Sequence, residues 1–308
     1  MINALNNFFL NLSNENKGFI YGFVGILIFS LTPVATKIAL GSDNNELSAE
    51  FITFGRSAVA GFLALLYLLI FKKKIPQKSD LMNFSIIALC LTIGFPLSLS
   101  YGLIYSTSIH AGVILAFLPL ATAIFASFYF KQRASNGFWL CALVGSIIIV
   151  IYILIHNQNV NANFKISHYD ILFCIAVIAA AVGYNFGAKL TKNMLSADVI
   201  SWALVLALPL HFILAIYYFP KSEISIIAWF GFFYTALFSQ WIGFFAWYKA
   251  LDLGGAVRVS QIQLLMPFLT FAFSILFLGE ILDSLAIVFS AIIIFLIYVS
   301  RRMAIVNK

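Results

Sequence analysis

Apolar runs separated by short polar or charged clusters fill this chain almost end to end, and they predict ten helices. The runs lie at about 18–40, 48–71, 81–104, 108–130, 136–155, 169–190, 198–219, 224–247, 257–279 and 282–300. Each is close to the roughly 20 residues that an α-helix needs to cross the hydrocarbon of a bilayer. The third and fourth runs are divided only by a tight turn at Ser106-Thr107-Ser108. The longest polar connection, about 156–168, is too short to hold a soluble domain. The first seventeen residues, rich in Asn with Lys17 as their single base, do not read as a cleavable signal peptide, so the span beginning at Gly18 is expected to stay.

The pattern repeats. Leu47-Ser-Ala-Glu-Phe-Ile-Thr-Phe54 returns 148 positions later as Leu195-Ser-Ala-Asp-Val-Ile-Ser-Trp202, keeping Leu-Ser-Ala, the acid and the hydroxyl. The same offset pairs Pro119, Thr122 and Phe125 with Pro267, Thr270 and Phe273. Two patches in one register argue for an internal duplication of a five-span unit. An odd number of spans sets the second copy upside down, so the fold expected is all-α and integral to the membrane: ten transmembrane helices as two inverted five-helix repeats. The expected organisation is a cytoplasmic segment 1–17, a first repeat 18–155, a periplasmic connection 156–168, a second repeat 169–302 and a cytoplasmic tail 303–308. Inverted repeats let one site face the two sides of a membrane in turn, which makes a transporter the first functional expectation.

Composition agrees. The chain is 63% hydrophobic and only 9% charged, where a soluble domain carries about a quarter charged residues. No Lys, Arg, Asp or Glu falls between Asp80 and Lys131. With the N-terminus inside, fourteen Lys and Arg lie on inner segments against Lys165 and Lys221 outside, while Lys37 and Arg56 fall within spans. That bias predicts cytoplasmic termini. The net charge of +7 therefore sets topology and is no sign of a nucleic-acid partner. Cys90, Cys141 and Cys174 sit in apolar runs with no metal-site or redox spacing, so packing thiols are expected, with no metal and no cofactor.

At this point the residues resemble those of the EamA-type branch of the drug/metabolite transporter superfamily. Arg56 after an acidic span entry is similar to that family's second-helix arginine. Pro119 and Pro267 stand where its fourth and ninth helices carry prolines, and Phe277-Leu278-Gly279-Glu280 resembles its Leu-Gly-Glu ending. Lys37 and Lys189 stand where its first helix, and that helix's counterpart in the second repeat, close with lysine. One departure is Lys131-Gln132-Arg133, where the first repeat lacks its own Gly-Glu. The resemblance implies a multi-pass carrier of the bacterial inner membrane for small organic metabolites, often an exporter of amino acids or their relatives. It leaves the substrate open.

Charges inside a bilayer are costly, so Arg56, roughly 12 Å into its span at 1.5 Å per residue, calls for a specific role. Either it anchors a carboxylate or phosphate in a central cavity, or it ties helices together; Glu50, six residues away, is a poor helical partner. Its repeat counterpart is Leu204, so the duplication is broken there. Lys37 either snorkels to the outer interface or adds a second positive group near the mouth. His110 and His211, the imidazoles within spans, are each a structural group or a titrating one. Asn185, Gln240, Gln261 and Gln263 either bond neighbouring helices or line a cavity, with Tyr101, Tyr184, Trp241 and Tyr248 near them. Pro33, Pro96, Pro119 and Pro267 are candidate hinges, the other reading being fixed curvature.

No mid-span carboxylate offers a proton site, and no phosphate-binding loop suggests ATP drive, so facilitated diffusion stands beside proton exchange. Intramembrane enzymes need nucleophile–base pairs or metal ligands, and HExxH and GxSxG are absent. Nothing resembles a channel filter. The expectation is a secondary carrier, most readily for amino-acid efflux, with import of an amino-acid or nucleotide-like metabolite as the alternative. Its partners are a small-molecule substrate and the lipid bilayer, and it acts as a monomer or weak homo-oligomer.

Overall fold

A computed structural model describes residues 12–41, 46–106, 108–130, 132–159, 169–278, 284–303 and 305–307. The first half runs α1 (Asn14–Ser30), α2 (Thr32–Leu40), α3 (Ala49–Ile70), α4 (Leu81–Ala88), α5 (Phe95–Tyr105), α6 (Ser108–Leu115), α7 (Leu118–Phe130) and α8 (Asn136–Asn159). The second runs α9 (Asp170–Leu190), α10 (Ser196–Tyr217), α11 (Ile226–Tyr234), α12 (Gly243–Gly254), α13 (Ala256–Val259), α14 (Met266–Leu278) and α15 (Ser284–Arg301). Two π-helical segments, Leu89–Gly94 and Thr235–Ile242, join α4 to α5 and α11 to α12, and a 3₁₀ segment, Ser260–Leu265, joins α13 to α14. Among the described residues seven helical runs are long and apolar enough to cross a membrane. Shorter apolar helices, Leu118–Tyr129, Asn136–Ile151 and Ala291–Ser300, fall where the remaining spans are expected. This is a multi-pass membrane protein. Its outward side chains are apolar, with Phe128 82%, Phe230 71% and Ile213 65% exposed, as suits a lipid solvent.

One element departs from an all-α expectation. Gln132–Ala134 pairs antiparallel with Ile305–Asn307, Gln132 opposite Asn307. The connection after α7 and the tail after α15 emerge together, and two short extended segments side by side satisfy each other's backbone groups. Of the connections and motifs singled out above, Lys131, Gly279, Glu280 and the stretch 160–168 lie outside the described residues.

Local chemistry sets the helix ends. Ser48 and Ser225 accept the backbone N–H groups of Phe51 and Ala228 at 3.1 and 3.2 Å, and Glu15, Glu50, Asp170 and Asp198 sit in first turns, where the helix dipole favours acids. Gly41 (φ 83°) and Gly255 (φ 79°) close α2 and α12 in the left-handed region that only glycine enters freely.

The duplication is written in these boundaries. The starts at Leu118 and Met266 are 148 apart. So are the π-segment ends at Gly94 and Ile242. The equivalent helices α3 and α10 pack antiparallel. Phe51 and Phe54, early in α3, meet Phe219 and Tyr218 at the far end of α10 with ring distances of 5.5 and 6.1 Å. Late in α3, Tyr67 donates to Asp198 in the first turn of α10 at 2.9 Å. α1 lies along α12 so closely that a Cβ at Gly18 would come within 2.8 Å of the Gly254 nitrogen, the contact expected of small-residue faces.

Candidate functional site

Several breaks in the helices meet at one place. A small central cavity is bordered by Thr32 and Pro33 at the α1–α2 break, Leu115 and Leu118 at the α6–α7 break, and Met266 where the 3₁₀ segment ends. Leu91 and Phe95 at one π segment and Ser239, Gln240 and Phe244 at the other complete most of the wall, with Arg56, Phe29 and Tyr184. Non-helical backbone at membrane depth is tolerated only where it is buried in protein or borders a cavity. Broken helices meeting between repeats are the usual construction of carrier sites. About 20 Å³ is open to the centre of a water-sized sphere, room for one or two waters. An organic molecule would require the walls to separate.

Prolines account for much of this backbone. Pro33, Pro96, Pro119 and Pro267 are each the second residue of a helix that follows a break, π or 3₁₀ segment, where a missing N–H costs little. Pro96 leaves the carbonyls four and five residues earlier without their donor, and both are taken by side chains. Gln240 Nε2 donates to Leu91 O at 3.0 Å. Ser57 Oγ donates to Thr92 O at 3.1 Å, with His211 Nε2 3.4 Å from the same oxygen. Thr92 Oγ1 gives its proton to Ala88 O (2.7 Å) and so accepts from His211 Nε2 (2.9 Å), which assigns that ring nitrogen its hydrogen. His211 is thereby a structural group tying α10 to the segment before α5.

Arg56 is 1% exposed. Its Nε donates to Gln240 Oε1 at 2.9 Å and its Nη2 to Ser239 Oγ at 3.3 Å, while Thr32 Oγ1 donates to the same serine oxygen at 2.8 Å. Nη1 is buried with no hydrogen-bond partner. The guanidinium is thus held by neutral groups of another helix, and Glu50 instead accepts a hydrogen bond from Tyr101. Beside it, Phe29, Tyr184, Phe244 and Trp247 form an aromatic cluster, with Phe29–Phe244 at 5.0 Å and Tyr184–Trp247 at 5.3 Å between centroids.

Of the residues singled out in the sequence, Arg56, Gln240, Tyr184 and Pro33 border the cavity. Others do not. Lys37 Nζ donates to Leu103 O at 2.9 Å, and Tyr101 closes on Glu50, both towards the start of α3. Trp241 Nε1 donates to Ser201 Oγ (2.9 Å), and Tyr248 donates to Gly183 O (3.3 Å). Asn185 Nδ2 donates to Thr122 O and Ala181 O, at 3.1 and 2.8 Å. The His110 side chain lies outside the described residues. Gln261 and Gln263, each 1% exposed, leave both amide atoms without a partner. Thr122 Oγ1, Asn185 Oδ1 and Trp247 Nε1 are likewise unpartnered. These five residues sit on α7, α9, α12 and the 3₁₀ segment. Thr32, Ser239 and Met266 are site residues that the sequence reading missed; the first two directly precede Pro33 and Gln240, the only signal they carried.

Comparison with known proteins fits this architecture. The EamA-like transporter family matches residues 16–155 and again 168–302. The chain belongs to the EamA-like transporter family. It is 36% identical over 295 residues to the uncharacterized transporter YdeK of Bacillus subtilis (strain 168), covering 95% of this chain and all of that one. It is 26% identical over 271 residues to the uncharacterized transporter sll0355 of Synechocystis sp. (strain ATCC 27184 / PCC 6803 / Kazusa), 80% of each chain. A solved crystal structure shares the fold with a TM-score of 0.67 at 17% identity, covering 92% of this chain and 96% of that one. Membership of this family makes the protein a membrane transporter. Within its two EamA units, the cavity is asymmetric where chemistry would occur. Leu204, the counterpart of Arg56, is buried and packs its backbone on Gly61.

Proposed function

We propose that this EamA protein is a ten-crossing, alternating-access carrier that moves small organic metabolites bearing a carboxylate across the inner membrane, with both termini in the cytoplasm. Amino acids with apolar side chains, leaving the cell, are the cargo that fits best. The observation that carries the reading is the buried Arg56, held by neutral partners with Nη1 unpartnered, at the point where broken helices converge. A planar guanidinium matches a carboxylate, and the start of a half-helix adds a partial positive charge on the same side. α2, α7 and α14 all start at the cavity wall. The aromatic cluster beside Arg56 would receive the apolar part of the cargo.

Antiparallel packing of α3 on α10 supports inverted repeats, and the bias of Lys and Arg towards one set of connections supports the orientation. Two contacts at equivalent positions suit gates. Glu50 is bonded to Tyr101 at one end of α3, and its counterpart Asp198 joins Tyr67 and Lys73 at the other. Opening the second would lead past the unpartnered amides of Gln261 and Gln263 and the unpartnered Asn185 Oδ1, which water would satisfy. Pro33, Pro96, Pro119 and Pro267 mark where the walls would bend.

The test is counterflow in proteoliposomes preloaded with an apolar amino acid. Accelerated uptake of labelled amino acid is expected, and the corresponding decarboxylated amine should not exchange. Equal exchange of acid and amine would remove the carboxylate anchor, and an absence of any trans-acceleration would remove the carrier mechanism. Imposed pH gradients in the same vesicles decide between proton exchange and facilitated diffusion.

A further inference from the structure

A second polar cavity, sharing no lining residue with the one at Arg56, lies at the C-terminal ends of α7 and α9. It is bordered by Tyr129, Lys189, Lys192 and Asn193 and holds about 450 Å³ open to a water-sized sphere. No acid is among those four side chains, which offer two ammonium groups, a phenol hydroxyl and an amide. Lys189 is positioned by neutral groups: Nζ lies 3.1 Å from Tyr129 Oη and 3.4 Å from Oδ1 of the buried Asn83, and 5.4 Å from the Tyr129 ring centre. The ring is itself fixed, stacked on Phe125 at 5.6 Å and tilted against Phe186 at 4.8 Å.

Position narrows the ligand. Phe128, next to Tyr129, is 82% exposed and Leu195 is 61% exposed, so the pocket stands where the lipid-facing surface meets the polar ends of the helices. Cation-lined hollows between helices at that depth suit the phosphate of a lipid headgroup. We infer that Lys189, Lys192, Tyr129 and Asn193 form a binding site for a phosphate-ester anion, separate from the transport cavity and independent of what that cavity carries. An anionic phospholipid and a soluble phosphate present the same oxyanion, and the experiment separates them.

The detergent-purified full chain is titrated with phosphatidylglycerol or phosphatidylcholine, and retained lipid is counted by native mass spectrometry. Inorganic phosphate is assayed separately by the shift it causes in thermal unfolding. Wild type is expected to retain phosphatidylglycerol in preference to phosphatidylcholine. Lys189→Gln/Lys192→Gln should weaken that retention roughly 25-fold, about fivefold for each lysine near a headgroup. Lys72→Gln/Lys74→Gln, outside the pocket, should leave it within twofold. The single change Lys192→Gln, on an exposed residue, supplies a fivefold effect if the double variant fails to fold. Stabilisation by phosphate that depends on both lysines, without lipid preference, would support the site and name a soluble ligand. Equal losses in the pocket and control variants, or no preference for either anion, would overturn the proposal.

Discussion

Replacing Arg56 by leucine, the residue its counterpart Leu204 supplies, separates a transport role from a structural one by the sign of the stability change. In the structure the substitution removes a buried cation whose partners are all neutral. Little is left stranded. Ser239 Oγ still accepts from Thr32, and Gln240 Nε2 still donates to Leu91 O, so only Gln240 Oε1 loses a partner. One stranded acceptor costs about 1–3 kcal/mol. Against it stands relief from desolvating a guanidinium, several kcal/mol even after relaxation. The expected net effect is near zero or stabilising. With about 2 °C per kcal/mol for a chain of this size, the unfolding temperature in detergent should stay within about 3 °C of wild type or rise. Counterflow of carboxylate substrates should fall to background in the same preparation. A structural tie predicts the reverse, since the two charge-assisted hydrogen bonds to Gln240 and Ser239 would be lost at about 1.5–3 kcal/mol each, a drop of roughly 6–12 °C. A folded, destabilised Arg56→Leu protein that still transports would refute the anchor.

Other consequences follow from single contacts. Gln261→Leu/Gln263→Leu removes four unpartnered amide atoms, so unfolding should move up by at least 2 °C, given about 1–3 kcal/mol per stranded group; counterflow should slow as the closed form gains. A fall in unfolding temperature would mean the amides are satisfied by water in the closed form. Gly18→Ala places a methyl 2.8 Å from the Gly254 backbone and should lower the unfolding temperature by several degrees, overpacking costing about 1–3 kcal/mol; an unchanged value would show that α1 and α12 can part freely. Asp198→Asn removes the ion pair to Lys73 at 3.1 Å and should cost about 1 kcal/mol. Burial lowers the Lys73 pKa, but its bonds to Tyr67 and Asp198 outweigh that and hold it above its ordinary 10.5. Stability from a raised lysine is fully present below that ordinary value and fades only as pH climbs through the raised one. The gap between wild type and Asp198→Asn should therefore be constant from pH 7 to 9 and narrow above about 10.5; narrowing already between pH 7 and 9 would assign the stabilisation to another group.

How far the sequence could be read depends on what each signal encodes. The multi-pass character and the duplication were legible because hydrocarbon thickness and chain length are one-dimensional quantities. The 148-residue offset found in two short patches is the one that the helix and π-segment boundaries obey. Arg56 was legible because a mid-span cation is conspicuous in any context. Which face of a helix looks inward was not, since a helix apolar all round carries no periodicity to read. Tyr101 and Lys37 were therefore grouped with the cavity, while their side chains close contacts near the start of α3. Ser239 and Thr32 were passed over for the same reason: small hydroxyls are ordinary in spans, and only a partner 183 or 207 residues away makes them part of a site. The π segments left a single trace, Pro96, whose two vacated carbonyls needed donors from other helices. Those donors are Gln240, Ser57 and His211, and Gln240 is also the residue that grips Arg56. Backbone irregularity and buried charge are thus one arrangement. A helix opened by proline turns its carbonyls towards the centre, an amide bridges from carbonyl to guanidinium, and the guanidinium is left with one nitrogen to offer.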